Sequence, residues 1–251
     1  MNTYQFEVSS HPEIDIRVES GRIEIRPGEP EKISVEVDAP ADIVTVEQKG
    51  GAVVIATDPS RRRLARKVFI VVTAPEGCDA TITTATAKVT CQAPLGVVQM
   101  KSATSDVDLA EVREADIKTA SGDVRIGRVT ESLRVASASG DVRLSRCSGR
   151  ASFNLASGDL RVKEADCALS AATASGDVKL DRFVGPSFSL NSMSGSALVG
   201  IPSGTTVDLD VTTLSGRAIL PEEADTGQTP PQRHTSIKAK LVSGNLEIVR
   251  V

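Results

Sequence analysis

Aspartates recur beside glycines at a fixed spacing, and they are the first residues in this sequence that could do chemistry. They stand 18 residues apart, at Asp123, Asp141, Asp159 and Asp177. A fold that stacks the repeats would align their carboxylates in one column, where they could hold calcium or act as paired acid–base groups. However, arginine or lysine follows each aspartate by two residues and would repel a bound cation. We therefore interpret the aspartates as turn residues.

Each aspartate closes a Ser-Gly-Asp motif whose three residue types suit a tight corner. Glycine adopts positive φ at little steric cost, and serine and aspartate side chains hydrogen-bond freed backbone groups. The predicted structural turns are Ser121, Gly122, Asp123, Ser139, Gly140, Asp141, Ser157, Gly158, Asp159, Ser175, Gly176 and Asp177. An apolar, basic, apolar triplet follows each motif, as in Val142-Arg143-Leu144. The resulting basic column would offset the acidic one, although exposed ion pairs contribute only about 0 to 1 kcal/mol each.

The 18-residue repeat also predicts the elements that carry these corners. With each glycine counted as zero, apolar residues fall at +2, +4, +7, +11 and +13, and spacing by two is typical of strands. One repeat cannot bury its apolar side alone, so the repeats must stack. We predict an all-β fold: a β-solenoid resembling a right-handed β-helix, with about 18 residues per coil and two short strands in each coil.

The organisation changes along the chain. Residues 1–84 contain strand-like runs separated by turn signals at hairpin-like distances, which predicts a β-rich capping portion that is continuous with the solenoid but more irregular, with some antiparallel pairing. Residues 85–251 carry the solenoid repeats, with a loop insertion at 221–235. The last strand, 246–251, has no polar cap beyond it, so either its edge is open or an inserted loop covers it. An open edge predicts a homo-oligomer formed through the terminal coils.

One basic run stands between two strand-like segments. Its candidate contact residues are Arg61, Arg62, Arg63, Arg66 and Lys67. The run could bind phosphates, anionic lipid or an acidic partner, or it could be a solvated loop. Because the chain has a net charge of −4 and a pI near 5.4, we favour the solvated loop and expect no nucleic-acid partner.

Composition limits the remaining classes of function. No apolar stretch is long enough to cross a bilayer, and no basic start followed by an apolar run marks a leader, so we expect a cytoplasmic protein without a membrane span. The four cysteines, Cys78, Cys91, Cys147 and Cys167, form no Cys-x-x-Cys motif, and the two histidines lie in other segments. We expect free, mostly buried thiols, with no metal and no cofactor.

The motifs together resemble a known family. Repeated Ser-Gly-Asp-Val, the run Val72–Gly77 (VTAPEG) and the run Val18–Ile25 (VESGRIEI) are similar to the bacterial putative-adhesin family of β-strand repeat proteins, a domain of unknown function. The resemblance covers nearly the whole chain and implies a β-solenoid without catalytic residues. For some members it also implies association with the cell envelope.

Two classes of function are therefore weighed. The first is a scaffold or interaction module, not an enzyme, that binds a protein or glycan partner and self-associates through its ends. The alternative is a carbohydrate-active β-helix enzyme or a glycan-binding protein, since long β-helices often host such chemistry. Sugar-stacking aromatics are scarce, with one tyrosine, five phenylalanines and no tryptophan. We therefore favour the module.

Overall fold

The computed structural model describes residues 2–9, 11–39, 43–58, 68–221 and 233–251, which form strands and turns without a helix. The all-β prediction is thus confirmed for these residues. The chain divides into two compact units, residues 1–129 and 130–251. The predicted capping portion, residues 1–84, lies within the first unit.

The first unit is built from eight strands and the start of a ninth. They are β1 (Asn2–Glu7), β2 (Glu13–Pro27), β3 (Lys32–Asp38), β4 (Val44–Lys49), β5 (Ala52–Thr57), β6 (Val68–Ala74), β7 (Cys78–Thr104), β8 (Val107–Ser121) and β9 (Val124–Ser137), which continues into the second unit. β1 pairs with β3, β3 with β6, and β4 with β5, all antiparallel. The predicted antiparallel pairing near the N-terminus is therefore confirmed.

Parallel pairing begins inside the same unit. β2 lies between β7 on one edge and β5 and β6 on the other, and all three pairings are parallel. β7 then pairs with β8 in parallel, with a register shift between Cys91 and Pro94. β2 contains the degenerate first repeat. Its corner glycine, Gly21, has a φ of 135° and lies between two strand segments with alternating buried apolar residues. β5 and β6 cover this first repeat, and the antiparallel strands β4 and β3 pair with them in turn.

The second unit contains the remaining strands. They are β10 (Val142–Ser157), β11 (Leu160–Ser175), β12 (Val178–Phe183), β13 (Ser187–Ser194), β14 (Ala197–Ile201), β15 (Thr205–Ser215), β16 (Ala218–Ile219), β17 (Arg233–Ser243) and β18 (Leu246–Arg250). β10 pairs with β11 in parallel, with Val142 beside Leu160 and Phe153 beside Ala171. This offset equals the sequence repeat, so identical repeat positions lie beside one another. We call the residues at one level of this stack a rung.

The prediction of two short strands per repeat is wrong for β10 and β11, each of which is one continuous strand of 16 residues. The bend is nevertheless visible in the burial pattern. In β10 the buried residues Leu144, Cys147 and Ala151 are spaced by three and then four instead of two. Backbone pairing continues through this bend, which keeps the two arms in one strand. From Val178 onward each repeat does consist of two strands. In the first of these repeats, Gly185-Pro186 separates β12 from β13.

The final rungs do not stack in chain order. β13 and β14 pair with β17 and β18, and those pair on their other edge with β15 and β16. Leu246 and Glu247 of the last strand therefore lie between β14 and β16, whereas β16 does not extend along 248–250. Of the two alternatives for this edge, a covering segment is confirmed for these two residues, and that segment belongs to the rung 205–219.

Candidate interaction surface

At the corners, the backbone of one glycine closely approaches the backbone of the glycine in the adjacent rung. Gly158 and Gly176 have φ values of 110° and 131°. A Cβ placed on Gly158 would lie 2.2 Å from the carbonyl oxygen of Gly140, and one on Gly176 would lie 2.1 Å from that of Gly158. These positions exclude any side chain, both by conformation and by space.

The aspartates beside these glycines form a ladder of hydrogen bonds in the second unit. The backbone N–H of Asp159 donates to Asp141 Oδ1 at 3.1 Å, and that of Asp177 donates to Asp159 Oδ1 at 2.9 Å. The N–H of Ser196 donates to Asp177 Oδ1 at 2.8 Å. In the first unit Asp123 N–H donates to Asp106 Oδ1 at 3.1 Å. Each carboxylate therefore satisfies a backbone donor at the next corner.

Uncharged residues continue the ladder in the last rungs. The N–H of Asn245 donates to Ser196 Oγ at 3.3 Å, and the N–H of Arg217 donates to Asn245 Oδ1 at 3.0 Å. A serine hydroxyl and an asparagine amide thus take the place of a carboxylate. The position requires an acceptor and does not require a negative charge.

This ladder predicts different outcomes for two substitutions at Asp159. Asp159→Ala removes the acceptor for Asp177 N–H and should lower the free energy of unfolding by about 0.5 to 1.5 kcal/mol, the usual net value of one hydrogen bond. Asp159→Asn keeps an acceptor oxygen and should recover most of that loss. Urea unfolding of the two variants measures the difference. Equal destabilisation by Asn and Ala would mean that charge, and not the hydrogen bond, matters here.

The basic residues next to the ladder are paired within the chain. Arg143 lies 2.8 Å from Asp141, whereas Arg161 and Lys179 lie 3.1 and 3.6 Å from Asp181. In the first unit Arg125 lies 2.7 Å from Asp123. Because these side chains are half exposed, each pair contributes little to stability. Their arrangement does show that the repeated charges are directed at each other.

Two regions named in the sequence analysis fall outside the described residues. They are the basic run with Arg61, Arg62, Arg63, Arg66 and Lys67, and the part of the loop insertion between 222 and 232.

The described surface contains two open grooves. The first, of about 810 Å³, is lined by residues that include Gln5, Glu29 and Lys32. Its carboxylate, Glu29, is ion-paired to Lys32 at 3.0 Å. The second, of about 240 Å³, includes Asp177 and Glu247, and Asp177 already accepts the Ser196 hydrogen bond. Among the described residues, no group of three or more His, Cys, Asp or Glu side chains is placed to hold a metal ion.

The four cysteines are free and buried, as predicted. Burial raises the pKa of Cys78 and of Cys91 to about 12. The neighbouring thiol of Cys147, together with burial, raises the pKa of Cys167, whereas Cys167 lowers the pKa of Cys147. A protonated, buried thiol is a poor nucleophile, so Cys78, Cys91 and Cys167 act as small core residues.

The contact between Cys147 and Cys167 was not anticipated from the sequence. Their repeat offsets differ by two, and the register places Cys147 beside Ala165 and Cys167 beside Gly149. The sequence signal was present in these two small neighbours, which leave room for a diagonal contact between adjacent rungs.

Large exposed apolar side chains are concentrated in the last rungs of the second unit. In the described part of the chain they are Met193, Leu214, Ile219, Leu220, Val242 and Val251. Three of them, Met193, Val242 and Leu214, are 63%, 48% and 83% exposed and occupy the same repeat position, two residues before a corner glycine. Exposed Ala156 and Ala174 precede them at that position.

We call these five side chains the apolar column. Five rungs extend over about 19 Å at the usual strand spacing of 4.8 Å. The first two of these rungs carry alanine, and the last three carry methionine, valine and leucine. Contiguous apolar groups on an exposed face are typical of interaction surfaces.

No helix in the described ranges has the length and apolar character needed to cross a bilayer.

The stacked parallel strands, glycine corners and hydrogen-bonded ladder define an all-β repeat protein. The chain belongs to the Toastrack DUF4097 family, whose model matches residues 11–248. The family resemblance inferred from the sequence is therefore confirmed. None of the curated proteins matches the chain in sequence.

Solved structures with similar folds have low sequence identity. A crystal structure described as "Putative lipid binding protein" from Parabacteroides distasonis ATCC 8503 has 14% identity and a TM-score of 0.51, over 99% of this chain and 96% of that one. A "putative adhesin" from Bacteroides fragilis NCTC 9343 has 16% identity and a TM-score of 0.49, over the same shares. A "putative adhesin" from Parabacteroides distasonis ATCC 8503 has 12% identity and a TM-score of 0.48, also over 99% and 96%.

Proposed function

We propose that this chain is a non-enzymatic β-solenoid scaffold, an adhesin-like module that binds a protein or glycan partner through its last rungs. The apolar column is the observation that carries the proposal. The repeated polar side chains are used within the fold, as corner acceptors or as ion pairs. The apolar column, by contrast, exposes large apolar side chains to water at positions where a polar residue would not lower the stability of the fold.

A non-enzymatic role is also proposed. The carboxylate of the larger groove is ion-paired, and Asp177 in the smaller one is occupied by a backbone donor. Glycoside hydrolysis needs two carboxyl groups facing each other across a bond, each with a separate role. Nothing in these grooves favours that chemistry over binding.

The partner class is taken from the exposed side chains and not from any relative's description. The lipid-binding description of one structural relative is not carried over, because at 14% identity the likeness concerns the fold alone. The cytoplasmic location stays a prediction.

The test compares two matched double variants as bait. Met193→Ser with Leu214→Ser removes the large end of the apolar column, and Ala156→Ser with Ala174→Ser changes the same repeat position at its small end. We expect a partner captured by cross-linking from the source cell, or a glycan retained on an array, to be lost with the first variant and kept with the second. Equal capture by both variants would contradict the proposal. So would steady cleavage of any polysaccharide by the purified chain.

A further inference from the structure

The rung formed by β15 and β16 is the outermost level of the second unit. β15 pairs with β17 and β16 pairs with β18, and no other described strand pairs with either of them. An unpaired edge exposes a row of backbone donors and acceptors that can bind another strand. In the described residues, the outer edge of β15 has no strand beside it and is a candidate for strand addition.

The hydrogen bonds of the rung identify which backbone groups face outward. The carbonyl of Ser215 accepts from Gly244 N–H, and that of Arg217 accepts from Leu246 N–H, both at 3.0 Å. Successive residues of a strand direct their N–H and C=O groups to opposite edges. In β17, Ser236 N–H donates to the carbonyl of Pro186 beside β13, so the odd-numbered residues Ile237 to Leu241 face β15. In the parallel register the even-numbered residues of β15 up to Thr212 therefore face β17, and Val211 and Thr213 direct their N–H and C=O groups to the open edge. The alternation shifts at Leu214, which the register skips.

The core of this rung is only half covered. In β17, Ile237, Ala239 and Leu241 are buried, with at most 4% exposure. Leu209, Val211 and Thr213 of β15 occupy the corresponding positions and are only partly buried. One further strand would complete their burial. Leu214, Ile219 and Leu220, all exposed, lie in or next to the same rung.

The charges on β15 allow two identical edges to meet. Asp210 is ion-paired to Lys238 at 3.1 Å, and Asp208 Oδ2 lies 3.0 Å from His234 Nε2. The exposed carboxylates are thus already partnered by the neighbouring strand. The strand contains no proline or lysine, which commonly block edge pairing.

We propose that a second copy of this chain pairs edge to edge with the first through β15, antiparallel about a two-fold axis. The alternation of apolar and polar side chains in β15 suits this arrangement. A two-fold axis perpendicular to the sheet keeps the apolar side chains of both copies on the same face. The contact uses the same surface on each copy, so the assembly closes at two. The inference rests on the proposed function, since it names a partner for the same end of the fold.

The test is the oligomeric state of the full chain, measured by sedimentation over a wide concentration range. Thr213→Pro removes an edge-facing N–H without removing a bond to β17, and Thr213→Ala is the matched control that keeps the N–H. We expect a concentration-dependent dimer whose dissociation constant rises at least about tenfold with proline and stays within about twofold with alanine. Circular dichroism and melting check that both variants fold. Leu214→Lys, at an 83% exposed position, is a second variant that should also weaken the dimer.

A strict monomer at high concentration would overturn the inference. A dimer that neither Thr213→Pro nor Leu214→Lys weakens would overturn it too, because the contact would then lie elsewhere. A monomer that still loses a captured partner with Met193→Ser and Leu214→Ser would overturn only the self-pairing and leave the interaction module standing.

Discussion

Replacing Gly158 by alanine is expected to lower the free energy of unfolding by about 3 to 5 kcal/mol, the sum of backbone strain and a steric clash. The new Cβ would lie 2.2 Å from the carbonyl oxygen of Gly140, and the residue would keep a φ of 110° that side chains other than glycine rarely adopt. The oxygen belongs to the backbone of the adjacent rung, so relief requires the two rungs to separate. Urea or thermal unfolding measures the loss.

Gly204→Ala is the matched control. Gly204 also has a positive φ, 75°, but nothing lies within 4 Å of a Cβ placed on it. Only the conformational strain should remain, roughly 1 kcal/mol. Similar losses for the two variants would mean that the close approach between rungs contributes nothing, and that the corner glycines are needed for φ alone.

Phe188→Ala should cost about 3 to 5 kcal/mol, the typical loss for a fully buried phenylalanine. Phe188 is 1% exposed, and its ring centroid lies 5.9 Å from that of Phe183, which is completely buried. The two rings meet across the corner at Gly185-Pro186, where the interior is otherwise filled by aliphatic side chains. Removal of one ring leaves a cavity that neighbouring β-strands cannot close without losing pairing.

Met193→Ala, in the same strand, is the control for Phe188→Ala. Met193 is 63% exposed, so truncation removes little buried area and should change stability by about 0.5 kcal/mol or less. Chemical denaturation with the same probe compares the two. A small effect of Phe188→Ala would show that the corner can collapse around the missing ring.

Much of each rung could be predicted from the sequence, because the relevant physics is local. Corner glycines need positive φ, and apolar residues spaced by two mark the inward side of a strand. Thus Val142, Leu160 and Val178 lie beside one another, as the 18-residue period indicates. The corner aspartates were interpreted as turn residues on the same grounds, although their bonds to the next corner required coordinates.

The order of the last rungs was decided only by the tertiary structure. Gly244 approaches Gly195, and Gly216 approaches Gly244, so the final corner of the chain stacks before the one that precedes it. Each rung offers the same alternation of apolar and polar side chains to both of its neighbours, and a periodic pattern therefore cannot specify which rung lies next to which. β17 is paired on both edges, and its inward residues are fully buried. β15 lies at the end of the stack, and its inward residues are only partly buried.

The contact between Cys147 and Cys167 was likewise decided only by the tertiary structure. It depends on how far a side chain reaches diagonally between rungs, and on the small residues beside each thiol. The period by itself determined what each rung contains and where the chain turns. Packing determined which rungs meet and which edge faces water, because those outcomes depend on total burial over the whole stack and not on any one repeat.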